Sequence, residues 1–430
     1  MKSYFNPPPT DWSTILERPL LDTSELEATV QAILDEVQTR GDAALRDYTA
    51  RFDGVALDTL RVSPAEMEAA AEQLPAELKT AIDTAYRNIR TFHQAQIQDS
   101  AVVETMPGVR CWQRSVAIEK VGLYIPGGTA PLFSTILMLG VPARLAACEE
   151  IVLCTPPQKD GSIHAAMLYT AQLIGIEQIF KVGGAQAIGA MASGTESVPA
   201  VYKIFGPGNQ YVTCAKQLVN RQGLAIDMPA GPSEVLVYAD ASADPAFVAA
   251  DLLSQAEHGL DSQAVLVTTS ADLLERVERE LTQQLAQLPR RSIAEPVVGQ
   301  SPAITVADEA TALALINSYA PEHLILASDT ALDFAAGIRN AGSVFLGHYT
   351  PESVGDYASG TNHTLPTNGF ARAYSGVNMD AFYKKITFQQ LSTAGLQQLG
   401  PAVETMAAAE QLEAHKLAVS IRLQKLQNPS

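Results

Sequence analysis

The chain has 430 residues, enough for two α/β domains with appendages and too many for one simple core. Its formal net charge of −18 would repel a polyanion, which excludes nucleic acid and anionic membrane as natural partners. An ordinary apolar fraction of 47% without low-complexity tracts argues against disorder, and four scattered cysteines (Cys111, Cys148, Cys154, Cys214) are too sparse for a disulfide scaffold.

The opening MKSYFNPPPTDW has no apolar h-region and does not read as a secretory signal. Residues 1 to about 118 read mainly as helix, with apolar spacing near 3.6 in DTSELEATVQAILDEVQTRGDAALRDYTARFDG and again in PAELKTAIDTAYRNIRTFHQAQ. From about residue 120 short apolar runs alternate with helical patterns. KVGLYIPGG, EEIVLC, QIFKVGG and VYKIFGPG read as strands, and SEVLVYAD closes this block near residue 239. A second series follows in QAVLVTTS, AITVAD, HLILAS and GSVFLG, and the tail from about 381 reads as helix. The alternation predicts parallel sheets built from βαβ units, in two similar sandwiches facing across a cleft. PLFSTILMLGVPARLAA contains two prolines and Arg144 and is too short to span a bilayer, so a soluble cytosolic protein is expected.

The Gly-x-Gly-x-x-Gly and Walker patterns are both missing. Instead, YIPGGTAP, GGAQAIGA and FGPGNQY place glycine turns after successive strands, where an open α/β sheet binds ligands. Each turn alone is equally a tight connection. Cys154, at a strand end, is either a nucleophilic thiolate or a small buried hydrophobe.

Four polar clusters stand out. In ASADPAFVAADLLSQAEHG, Asp244 is a suitable N-cap, Pro245 suits the first helical position and Gly259 suits the terminator. At about 100° per residue, Gln255 and His258 share a helix face, whereas Glu257 points elsewhere. An amide oxygen and an imidazole can ligate a borderline cation, and a self-capping polar helix end has the same sequence. APEHLIL sets Glu322 beside His323 ahead of an apolar strand. Neighbours in extended chain point to opposite faces unless a turn re-aims them, so this is either a pair of general bases or a strand entrance with a capping histidine. ESVGDYASGTNHTLPT reads as a long polar loop carrying Asp356 and His363. Asp356 is a further oxygen ligand or an Asx turn. In AAAEQLEAHKLAVSIRLQ, Glu410 and His415 diverge by about 140° on one unbroken helix. Either one of them acts alone, or the helix breaks near Leu412 and restarts near Glu413.

DMPAGPSEVLV, DLLSQAEHG, PEHLI, GSVFLG, GDYASGTNHTLPT and AAAEQLEAHK occur in this order and at these separations. Together they closely resemble the histidinol dehydrogenase family from about residue 10 to 425, and VGLYIPGG, GGAQAI and IFGPGN resemble its nucleotide-contacting turns. The resemblance implies two incomplete Rossmann-like domains, each a three-layer parallel-sheet sandwich, with small helical N- and C-terminal extensions. It implies a 1–24 extension, a substrate and zinc domain of 25–119 with 240–380, an NAD-binding domain of 120–239, and a 381–430 tail that serves the partner's site in an intertwined homodimer. It further implies Gln255, His258 and Asp356 as ligands of one Zn2+ per subunit, with His415 donated by the partner subunit. Tyr124, Gln186 and Asn209 are implied as NAD contacts. Ser233 and Glu410 are implied to touch substrate together with the zinc ligands and His323, and His363 is a further candidate. Glu322 and His323 are implied as the catalytic pair for oxidation of L-histidinol through L-histidinal to L-histidine. Two bases suit two successive oxidations, the second of which adds water to a carbonyl. A zinc hydrolase would share the metal set but has no use for three glycine turns.

Overall fold

In a computed structural model, which describes residues 1–18, 24–98, 100–127, 131–229 and 231–428, the apolar runs after residue 120 form the strands of two parallel sheets. Five strands lie in the order Gln178–Lys181, Glu150–Thr155, Lys120–Tyr124, Lys203–Phe205 and Ala225–Ile226. Six lie in the order Lys2–Phe5, Pro302–Thr305, Gln263–Thr268, Glu234–Ala239, His323–Ala327 and Ser343–Leu346. The central strands are buried on both faces, which is why EVLVYA and QAVLVT read as near-continuous apolar runs. Alternate residues enter different cores. Val235, Val237 and Leu266 pack with Val248 and Leu252, whereas Leu236, Tyr238 and Val267 pack with Trp12, Leu315 and Ile316. Helices therefore cover both faces of the six-stranded sheet, a three-layer arrangement. On the five-stranded sheet, Val152 and Cys154 pack with residues of the helices Ser24–Arg40 and Gly184–Ser193.

Several sequence expectations are corrected here. Glu234–Ala239 does not close the first block. It sits between Gln263–Thr268 and His323–Ala327 in the other sheet. The helix Ser24–Arg40 packs on the five-stranded half, not with 240–380, because its apolar stripe of Val30, Ile33, Leu34 and Val37 meets Ile188 and its neighbours. Lys2–Phe5 is not helical but pairs in parallel with Pro302–Thr305.

The chain forms two compact units. Residues 1–96 and 118–382 make the first, which holds both parallel sheets, and 97–117 with 383–430 make the second. In the second, Val103–Met106, Val109–Ala117 and Tyr383–Leu391 form an antiparallel sheet where helix was expected. Its helices Thr393–Ala409 and Glu413–Gln427 pack together, and the chain breaks between them at Gln411, whose φ is +60°. The break near Leu412 is the alternative that separates Glu410 from the helix carrying His415. Among the described residues no helix is long and apolar enough to cross a membrane.

Candidate active site

The first unit gathers several of the singled-out residues in and around one cavity. Asp244 caps the helix Pro245–Ala256 through Ala246 N–H at 2.8 Å. That helix ends at Glu257, before the expected terminator Gly259, and His258 lies just beyond it with its N–H donating to Gln255 O at 3.2 Å. Gln255 is fully buried, and neither its Oε1 nor its Nε2 has a hydrogen-bond partner among the described residues. A buried amide left unpaired is costly unless something else satisfies it.

Asp356 is not in an irregular loop. It lies on the short helix Glu352–Tyr357, which touches the Gln255 helix. Ligand atoms of His258, Glu352 and Asp356 all lie within 4.8 Å of one another. Glu352, buried and with Oε2 unpartnered, was missed in the sequence. Its signal was the i, i+4 spacing to Asp356 on one helix face.

Ala320, at φ +55°, ends the helix Glu309–Tyr319 in a left-handed turn, and Pro321 follows. The turn leads the chain into the strand that starts at His323. Glu322 and His323 consequently do not point to opposite faces. Both are buried, and His323 Nδ1 lies 3.6 Å from Glu322 Oε2. The same Nδ1 is 3.3 Å from Glu234 O and 3.7 Å from Glu352 Oε1, while Nε2 is 3.5 Å from Asp356 Oδ1. A carbonyl only accepts, so Nδ1 carries the proton and Nε2 is the basic atom.

The charges are strongly perturbed. Burial pushes the Glu322 carboxyl up to about 8 against the opposing His323 charge, and pushes Glu352 up to about 7. Burial opposes charge on His323, but Glu352, Glu322 and Asp356 outweigh it and hold the imidazole well above its ordinary value. Burial also opposes ionisation of Asp356, yet His323, His363 and His258 hold it below the usual range. His258 presents an accessible edge, while the protein around its ring pushes its pKa down against Asp356. Neutral imidazole, ionised carboxylate and unpaired amide are the states a borderline divalent cation requires, so the residues fit one.

The cavity here, about 300 Å³, is lined by Asn209, Ser233, His258, Glu322 and His363. His363 is already engaged. Its Nδ1–H donates to Asp356 O at 2.9 Å and its Nε2 accepts from Thr135 Oγ1 at 3.1 Å. Both halves of the unit contribute to the cavity, which resolves why the pair precedes its strand: it faces a cleft between two sheets.

A second cleft of about 640 Å³ opens at the glycine turns and is lined by Tyr124, Gln186, Asn209, Tyr211 and Asp53. Tyr124 Oη accepts Gly184 N–H at 3.1 Å, and Asn209 caps its helix by accepting from Tyr211 and Val212 N–H. Asn209 lines both cavities, so they adjoin there. At Gly206, φ is +128° and a Cβ would sit 2.0 Å from Tyr124 O, so only glycine lets this turn close on the neighbouring strand. Gly128, Thr129 and Ala130 of the first turn lie outside the described residues. Cys154 is fully buried with its thiol pushed up by desolvation, so it is the small hydrophobe. Glu410 and His415 belong to the second unit, Glu410 ending one helix and His415 exposed in the first turn of the next.

A ligand cleft that runs into a buried acid–imidazole pair is the layout of an α/β oxidoreductase. Comparison with known proteins narrows the class. The family model described as histidinol dehydrogenase matches residues 16–423. The chain is 59% identical to the histidinol dehydrogenase of Bacteroides fragilis, over 99% of this chain and 100% of that one. It is 52% identical to that of Salmonella typhimurium, over 97% and 96%. The crystal structure of histidinol dehydrogenase from Elizabethkingia anophelis is 53% identical and matches with a TM-score of 0.98, covering 100% of this chain and 99% of that one. The chain belongs to the histidinol dehydrogenase family.

Proposed function

We propose that the chain oxidises L-histidinol to L-histidine through L-histidinal, the last two steps of histidine biosynthesis, using zinc and NAD. The observation that carries this reading is the convergence of His323 on Glu322 and Asp356, with His258 close to Asp356, beside a small cavity that Glu322 and His258 line, in a chain of this family. Gln255, His258 and Asp356 would hold the zinc, with His415 of the partner subunit as fourth ligand, and Tyr124, Gln186 and Asn209 would contact NAD. When bound, the metal supplies a positive centre that orients the imidazole and unprotonated amine of the substrate, and the dinucleotide supplies a hydride acceptor.

The chain's own groups handle the protons. In its deprotonated form, which alkaline pH favours, His323 Nε2 takes the hydroxyl proton in the first oxidation, and the carboxylates around Nδ1 stabilise the imidazolium that results. Glu322 then takes a proton from the water that adds to the aldehyde, and His323, having released its first proton to solvent, deprotonates the hydrate. Ser233 and Glu410 contact the substrate, and His363, held by Asp356 O and Thr135, lines its cavity. The thiols are not needed, because hydration replaces a thiohemiacetal.

A homodimer with exchanged tails is part of this reading. Exposed Met406, Leu417 and Ile421 on the two tail helices, with Leu412 in the break between them, support a surface that another subunit covers. A cytoplasmic location follows from the biosynthetic role. The test is metal analysis together with histidinol-dependent NAD reduction, with two NADH formed per histidinol consumed. No change at the nicotinamide band would remove the reading.

A further inference from the structure

Behind the acid–imidazole pair lies a second buried carboxylate that the mechanism does not use. Glu234 is the first residue of its strand and is 2% exposed. It is locked to Glu322 reciprocally. Glu234 N–H donates to Glu322 Oε2 at 2.9 Å, and Glu322 N–H donates to Glu234 Oε1 at 3.3 Å. The Glu234 carbonyl is the atom that faces His323 Nδ1 at 3.3 Å.

On its far side the Glu234 carboxylate is gripped by a fork. Arg18 donates Nε–H to Oε2 and Nη2–H to Oε1, the latter at 2.9 Å. Arg18 also donates to Tyr319 O at 2.9 Å and lies over the Tyr319 ring, 4.0 Å from its centroid. Tyr319 Oη sits 3.2 Å from Glu234 Oε2 and 2.6 Å from Gln263 Oε1. Arg18 thus reaches the start of the Glu234 strand and the helix that leads into Glu322, and Tyr319 extends the clamp to Gln263 at the start of the next strand. A buried ion pair is a poor device for stability, since apolar side chains of similar volume serve as well. A bidentate fork on a carboxylate does something else: it fixes position and orientation.

We propose that Glu234 is a positioning residue for the second oxidation. Clamped by Arg18 and Tyr319, it sets the backbone and carboxylate of Glu322 where water must be activated. The proposal rests on the reading of Glu322 as the water-activating base. Its expected signature is uneven. Glu322 exchanges two hydrogen bonds with Glu234, and one of them, from its own N–H, ends on the Glu234 carboxylate that substitution alters, whereas His323 meets only a main-chain carbonyl that substitution leaves in place.

The experiment compares zinc-loaded wild type with Glu234→Gln, Tyr319→Phe, Glu322→Gln and the double Glu234→Gln/Glu322→Gln variant. Each is assayed by NADH formation from histidinol in the first turnover, and separately from histidinal. In Glu234→Gln, either orientation of the introduced amide sets its NH2 against an Arg18 donor, so the clamp opens without loss of volume. Oxidation of histidinal by Glu234→Gln should fall about 10- to 100-fold in kcat with KM little changed, the scale of a misplaced catalytic group. Oxidation of histidinol should stay within about threefold, and amide exchange at Glu322 should quicken. In the Glu322→Gln background the Glu234 change should add nothing to the histidinal step, because it acts through Glu322. Should Glu234→Gln fail to fold, Tyr319→Phe carries the test, with a smaller loss confined to histidinal. Equal losses in both steps, or losses that multiply in the double variant, overturn the proposal and make Glu234 a strut. If Glu322→Gln alone impairs both steps equally, the base assignment fails instead, and the two failures are distinguishable.

Discussion

Replacing Gln255 by Met isolates the metal question from catalysis. The amide is fully buried, and both of its polar atoms lack partners among the described residues. An unsatisfied buried polar group costs about 1–3 kcal/mol. Met has nearly the same volume and no such groups, so the metal-free variant should be more stable than metal-free wild type by about 2 kcal/mol or more. With zinc the order reverses. A ligand present at about 100 times its Kd stabilises the folded chain by about 2.7 kcal/mol, and the variant loses most of that gain together with one donor. The assay is thermal unfolding of both proteins, stripped with chelator and then reloaded with zinc. Wild type should rise markedly on reloading and the variant little, with the stripped variant melting above stripped wild type. A stripped variant that melts lower, or a full zinc response in the variant, would refute the inference that this amide is kept for a cation.

Glu322→Gln should leave oxidation of histidinol largely intact and slow oxidation of histidinal by about 100-fold or more, read by NADH formation from each substrate; equal losses would contradict the division of labour. Activity should climb into the alkaline range. Burial raises Glu322 from 4.5 to about 8, a base works only when deprotonated, and so the histidinal step should decline as pH falls through about 8. A profile peaking below pH 6.5 would be incompatible. His415→Asn should lower zinc content, and mixing that chain with a His258→Asn chain should restore one intact site in each mixed dimer. Random pairing gives about half mixed dimers, hence about a quarter of wild-type activity; no recovery would mean the tail serves its own chain.

Much of this architecture is legible in one dimension because parallel strands announce themselves as apolar runs. The Asp244 cap and the strands after residue 120 follow from local chemistry, whereas the interruption near Leu412 is only one of two open alternatives in the sequence. What local chemistry could not supply is partnership. EVLVYA is apolar on both faces whichever sheet it enters, so nothing in it distinguishes the first block from the second. Val109–Ala117 and Tyr383–Leu391 escaped notice because their mutual pairing spans some 270 residues, in a sheet with little burial to imprint a pattern. At the site, Glu322 and His323 stood out as a pair, but their convergence depends on the left-handed turn at Ala320, which no glycine marks. Glu352 and Glu234 were passed over as ordinary acids at the start of a helix and a strand. Only the fold shows them buried.

The edge strand Lys2–Phe5 has a bearing on biogenesis. Its hydrogen-bonding partner is Pro302–Thr305, so this segment cannot dock until about three hundred further residues have been translated. At roughly 5–20 residues per second that is a delay of about 15–60 s. Through that interval the segment has no sheet to join, and Phe5, 66% exposed even when paired, waits in solvent. Docking of that edge strand is thus a late event in synthesis, and until then it is an unpaired strand open to pairing with another chain.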